Sequence, residues 1–216
     1  MSISLIHRIF FLATICTAVS AGTLYDSGTG SQTPPQSGLG MTGGAIAANQ
    51  FSFSNIGTVR SVTFFTLECC NSVWSGTINY YLFTGGNFSP SSSAFEQGSI
   101  SLYQRTEIYS DQATNKVVRF EFDLITPVTL AANTTYWLGL GLTDGGSGPA
   151  WNSVLGSNAI SARASSTAFN WVPQAMGGAF SLSDANVQIV PEPGSAWMLL
   201  SGAGLIVLRC VRRRRK

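Results

Sequence analysis

Lys116-Val117-Val118-Arg119-Phe120-Glu121-Phe122-Asp123-Leu124 alternates apolar and polar side chains with a period of two. Successive side chains on a strand point to opposite faces, so Val118, Phe120, Phe122 and Leu124 share one face and Arg119, Glu121 and Asp123 the other. The charged face reads as solvated neighbours rather than catalytic groups. Residues 135–143 repeat the pattern: Tyr136, Leu138, Leu140 and Leu142 oppose Trp137, Gly139 and Gly141, after a turn at Asn133-Thr134. Upstream, Ile78, Tyr80 and Leu82 oppose Thr77, Asn79 and Tyr81, while Val62, Phe64 and Thr66 alternate with Ser61, Thr63 and Phe65. Phe51 and Phe53 alternate with serines, and shorter runs lie near residues 160, 169–172, 180–182 and 187–189. Loops rich in Gly, Ser, Asn and Pro separate these runs, and residues 127–132 read as the lead into the turn. Eight or nine short strands without a helical period predict an all-β fold, an antiparallel two-sheet β-sandwich of jelly-roll-like form.

Composition agrees. Charged residues are 10% of the 216, aromatics 11%, and glycines number 23. So many rings exclude a disordered chain, and so few charges exclude a coiled coil. The formal charge of +2 conceals three unlike segments. Residues 1–21 carry only Arg8; residues 22–190 hold five bases and nine acids; residues 191–216 hold five arginines and Lys216 against Glu192. The central part is mildly acidic and has no basic stripe for phosphates, so nucleic acid is excluded as a partner. The sole histidine, His7, lies in the first segment, so no His-dependent triad or zinc site is expected in the mature chain.

His7-Arg8 precede an apolar run over residues 9–19 that ends Val19-Ser20-Ala21. This is the form of a secretory signal peptide, entering the Sec translocon and cut by signal peptidase between Ala21 and Gly22. A retained membrane anchor is the alternative. At the other end, Pro191-Glu192-Pro193 is followed by an apolar run over residues 195–208 and by Arg209, Arg212, Arg213, Arg214, Arg215 and Lys216. The prolines hold the backbone extended and leave Glu192 exposed to a processing enzyme. The apolar run is shorter than the ~20 residues of a comfortable membrane helix. The basic end stops transfer and stays cytoplasmic, which places the preceding domain outside. The expected organisation is a signal-peptide helix at 1–21, an exported domain at 22–190 with a loop-rich entry at 22–48, and a tail at 191–216. Within that tail, residues 191–193 are the motif, 195–208 a short transmembrane helix and 209–216 the basic end.

This tail resembles the PEP-CTERM sorting signal, with Pro191, Glu192 and Pro193 on the named motif. The resemblance implies export, transient insertion of the helix, and processing by an exosortase. It further implies delivery to the envelope, surface or extracellular matrix of a Gram-negative bacterium that makes exopolysaccharide and biofilm. Cys210, inside the basic end, is not part of the motif. A plain single-pass anchor is the alternative. The opening Leu24-Tyr25-Asp26, the central Val62-Thr63-Phe64, and residues 130–138 followed by Ala150-Trp151 resemble exported β-sandwich domains of the choice-of-anchor type. That likeness bears on fold and carries no catalytic residues.

For the central domain the sequence leaves three functions open: a non-enzymatic surface or matrix protein, a carbohydrate-binding module, and a secreted hydrolase. The first is the expectation, with no catalytic residues, metal or cofactor. Sugar faces stack on exposed rings, and Tyr81, Trp137 and Trp151 are the candidate contacts, Tyr81 and Trp137 because each opposes the better apolar face of its strand. The bland alternative is that these rings fill the core. A hydrolase needs two carboxylates at the right separation, and none of the nine sits in a recognisable motif. Asp26, Asp144 and Asp184 are available for calcium, without any recognised binding motif. Asn87-Phe88-Ser89 and Asn133-Thr134-Thr135 fit the glycosylation pattern, which chance explains in a bacterial chain. Cys69 and Cys70 read as a strand-end pair without chemistry, with a vicinal disulfide or a link to another chain as alternatives.

Overall fold

The computed structural model describes residues 22–28, 38–68, 73–110, 115–143, 149–152, 161–165, 169–174 and 177–187. Among these residues are thirteen strands and no helix. In chain order they are β1 (Thr23–Asp26), β2 (Gly38–Gly40), β3 (Ala45–Phe51), β4 (Gly57–Glu68), β5 (Thr77–Thr84), β6 (Glu96–Ile100), β7 (Gln104–Ser110), β8 (Lys116–Leu130), β9 (Tyr136–Thr143), β10 (Ala150–Asn152), β11 (Ser161–Ser165), β12 (Val172–Gln174) and β13 (Phe180–Ser183). They form two antiparallel sheets, as the alternation predicted. One runs β12-β11-β3-β9-β5-β6. The other centres on β4, which pairs β8 on one side and both β13 and β10 on the other, extended by β7, β1 and β2.

The inner faces meet where the sequence placed them. Val118, Phe120, Phe122 and Leu124 of β8 are buried with Val62 and Phe64 of β4. Across the gap lie Ile78, Tyr80 and Leu82 of β5 and Tyr136, Leu138, Leu140 and Leu142 of β9. Phe64 stacks on Phe120 at 5.3 Å and meets Phe122 edge-on at 6.2 Å, the offset geometries that aromatic quadrupoles favour. Tyr80 ties the sheets together: its hydroxyl donates to Glu96 Oε1 (3.3 Å) and accepts from the Ile125 amide (3.1 Å). Among the described residues this main core is drawn from residues 39–182, with Leu24 and Tyr25 packed against it.

The loop-rich entry at 22–48 also carries β1, β2 and the start of β3. Two expectations are revised. Strand β8 continues past Pro127 to Leu130. It does so because residues 124–127 bulge opposite Arg60, between the pairs Ser61↔Asp123 and Val59↔Val128, so the proline displaces no ladder hydrogen bond. The count among the described residues is thirteen strands rather than eight or nine, because very short strands such as β1, β2 and β10 are recruited by long-range pairing.

Candidate functional site

The six-stranded sheet turns its second face away from the main core. Asn79, Tyr81 and Phe83 of β5 lie on it, with Trp137, Gly139 and Gly141 of β9 beside them. Half of this face is sealed: Ala48, Phe83, Trp137 and Ala162 form a second buried cluster, roofed by Phe169 and Trp171. Phe169 stacks on Trp171 (5.8 Å, 15°) and presents its edge to Phe83 (5.0 Å) and Tyr81 (5.4 Å). It does this at φ +47°, a left-handed conformation that a bulky non-glycine residue adopts at a cost. Such strain persists where the surroundings over-determine it, and it clusters at functional sites.

Beyond this roof the face opens at Tyr81. The ring is half-buried, and burial pushes its phenol above the usual range. It lines two hollows. One, of about 450 Å³, is bounded by Gln97, Gly98, Ser99 and Phe169; the other, of about 260 Å³, by Ile46, Asn79, Gly141 and Thr143 among others. A polar row crosses three strands beside the ring. Ser99 Oγ donates to Asn79 Oδ1 (2.6 Å), Asn79 Nδ2 to Thr143 Oγ1 (3.4 Å), and Thr143 Oγ1 to the Thr77 carbonyl (3.4 Å). Gly139, opposite Tyr81 in the β5–β9 ladder, keeps the floor low, since a Cβ there would lie 2.9 Å from Phe83 Cε2.

The structure separates the three rings named from sequence. Tyr81 reaches the surface. Trp137 is 0% exposed, and its Nε1–H donates to the Gly86 carbonyl (3.2 Å). Trp151 is also 0% exposed, donating to the Ala179 carbonyl (2.9 Å) on the far sheet. Neither indole offers a face to a ligand, so exposure of these two is corrected. Burial with the one polar atom satisfied is how tryptophan fills a core. Sequence reasoning passed over Phe169, Gln97, Ser99 and the polar role of Asn79. Asn79 and Tyr81 share a strand face by period alone; Phe169 and β6 arrive from elsewhere in the chain.

A third hollow, about 300 Å³, is lined by Ser99, Leu102, Glu121 and Asp123 among others. Both carboxylates are engaged, Glu121 with Arg119 (3.0 Å) and Asp123 with the Val187 amide (2.7 Å). Asp26 caps the Gly28 amide (2.7 Å), and Asp184 accepts from the Gly22 amide (2.8 Å). Among the described residues no three His, Cys, Asp or Glu side chains cluster as a metal site. Asp144, the Cys69–Cys70 pair, Ala21, the motif at 191–193 and the basic end from Arg209 to Lys216 lie outside the described residues.

Fold and surface together describe an all-β sandwich with one aromatic groove on its outer face. The tail adds the rest: residues 190–215 match the model of the PEP-CTERM protein-sorting motif. The chain therefore carries a PEP-CTERM sorting signal, which marks it as an exported protein of the cell envelope with an exosortase as its processing partner. No curated protein matches the chain.

Proposed function

We propose that the protein is a non-enzymatic component of the cell surface or extracellular matrix of a Gram-negative bacterium, associated with exopolysaccharide and biofilm. It enters the Sec translocon, loses residues 1–21 to signal peptidase, and pauses as a single-pass precursor through the helix at 195–208. An exosortase then severs the tail near Pro191, Glu192 and Pro193. What supports this reading is the junction between body and tail. Among the described residues the last strand ends at Ser183, Val187 is still tied to Asp123, and the sorting match begins at residue 190. On this reading the body is a choice-of-anchor-type sandwich followed by an exchangeable address.

Mass spectrometry of protein from a producing strain and from one lacking the exosortase tests the processing. The expected result is loss of the arginine-bearing terminus only in the first strain. An intact terminus in both would defeat the reading. The non-enzymatic role is tested by assaying the body on the producer's own polysaccharide: release of reducing ends that disappears in Glu121→Gln or Asp123→Asn would make it a hydrolase instead.

A further inference from the structure

We infer that the groove at Tyr81, on the outer face of the six-stranded sheet, binds a neutral polysaccharide chain. The inference rests on the surface role proposed above and names its ligand class and its site. The chemistry follows from what lines the groove. A pyranose ring presents apolar C–H groups on a face and hydroxyls around its rim, so its complement is an aromatic ring bordered by neutral donors and acceptors. Tyr81 supplies the ring, common to both hollows. Gln97 and Ser99 border it on one side, Asn79 and Thr143 on the other.

Three further features fit a chain better than a compact ligand. The hollows lie on either side of one ring, so successive sugar units extend past Tyr81 in two directions. The polar row Ser99-Asn79-Thr143 is already ordered by its own hydrogen bonds, so little side-chain entropy is lost when hydroxyls join it. Phe169 walls the groove along its Phe83 side, held there in its left-handed conformation against Tyr81 and Phe83. The charge class follows as well: no lysine, arginine, aspartate or glutamate lines either hollow among the described residues. A uronic-acid polymer would find no counter-charge there, and a neutral polymer loses nothing by that absence.

The test is affinity electrophoresis of the chain from Gly22 to Val190, which contains every core residue found among the described residues, in gels holding hydroxyethylcellulose, dextran, the producer's own polysaccharide, or alginate as the anionic arm. Retardation by at least one neutral polymer is expected, insensitive to salt. Tyr81→Ala should weaken it at least about tenfold, equivalent to ~1.4 kcal/mol. Tyr81→Phe, which keeps the ring, should stay within roughly threefold of wild type. Gln97 is exposed, so Gln97→Ala leaves the fold intact and should still weaken retention, by about threefold or more. Tm measurements on each variant separate lost binding from lost folding. Absence of retardation by every neutral polymer overturns the inference. So does equal retention of wild type with folded Tyr81→Ala and Gln97→Ala, or retention by alginate alone that fades with salt. Tail processing in cells is scored separately, so either reading can fail while the other stands.

Discussion

Glu68 is the residue where burial and charge conflict most directly. Its side chain is 0% exposed at the end of β4 and pairs with Arg105 of β7, whose guanidinium lies 6.0 Å from the centre of the Phe120 ring. Desolvation raises the Glu68 carboxyl above its ordinary range, against the opposing pull of Arg105 and Lys116. A carboxyl raised in the folded state binds its proton more tightly than in the unfolded chain. Its contribution to stability is therefore greatest below the ordinary carboxylate pKa and is lost as pH rises through the folded value. Glu68→Gln should gain Tm relative to wild type as pH rises from 4 to 8, with the difference vanishing at the acid end. Thermal melts over that range read this directly, and a constant difference would contradict it. Arg105→Ala strands the buried carboxylate and should cost on the order of 3 kcal/mol in urea unfolding at pH 7. Gly178 is a second sensitive position: a Cβ there would sit 2.6 Å from Trp151 and 2.7 Å from Asn49 Nδ2. Gly178→Ala should destabilise by about 2 kcal/mol through overpacking, measured in the same unfolding experiment.

At the level of elements, strands followed from sequence wherever one face is buried and the other wet. In β8 every second residue faces the core, so the period of two was visible and held along 116–124. It failed as a guide in β9, where seven of eight residues are buried because the sheet is covered on both faces. Hydrophobicity then no longer distinguishes inside from outside, and Trp137 looked like a surface ring. Strands β1 and β2 were not visible because their partners, β13 and β10, are far away in sequence. Pro173 on the outermost strand β12 protects that sheet edge, since a proline cannot donate to an added strand. The β1–β13 pairing joins the two ends of the body. Gly22 N donates to Asp184 Oδ1 at 2.8 Å, and Ser27 exchanges hydrogen bonds with Phe180 at 2.8–3.0 Å. The proposed cleavage after Ala21 would turn the Gly22 nitrogen into an ammonium facing that carboxylate. The chain beginning at Gly22 should melt a few degrees above its N-acetylated form, an advantage that Asp184→Asn removes. Equal melting of the free and blocked forms would show the contact contributes nothing.

For the whole molecule, the ends and the body answer to different physics. The tail is an address read by length, charge and order along the chain, which is why Pro191-Glu192-Pro193, the short apolar run and the basic end were legible without any fold. The body had its class set in the same way, since alternation over 61–66, 77–82, 116–124 and 136–142 permits only sheets with a buried side. Sequence alone thus determined an exported, PEP-CTERM-tagged all-β protein. Only the tertiary structure decided which rings meet solvent, because burial of a ring on a sheet depends on what crosses its outer face. There, Phe169 and Trp171 of a later segment close over Trp137 and Phe83, and stop at Tyr81. The groove exists because β5, β6 and β9, with the loop bearing Phe169, converge through pairings and packing that span up to ninety residues. No local pattern encodes so distant a juxtaposition.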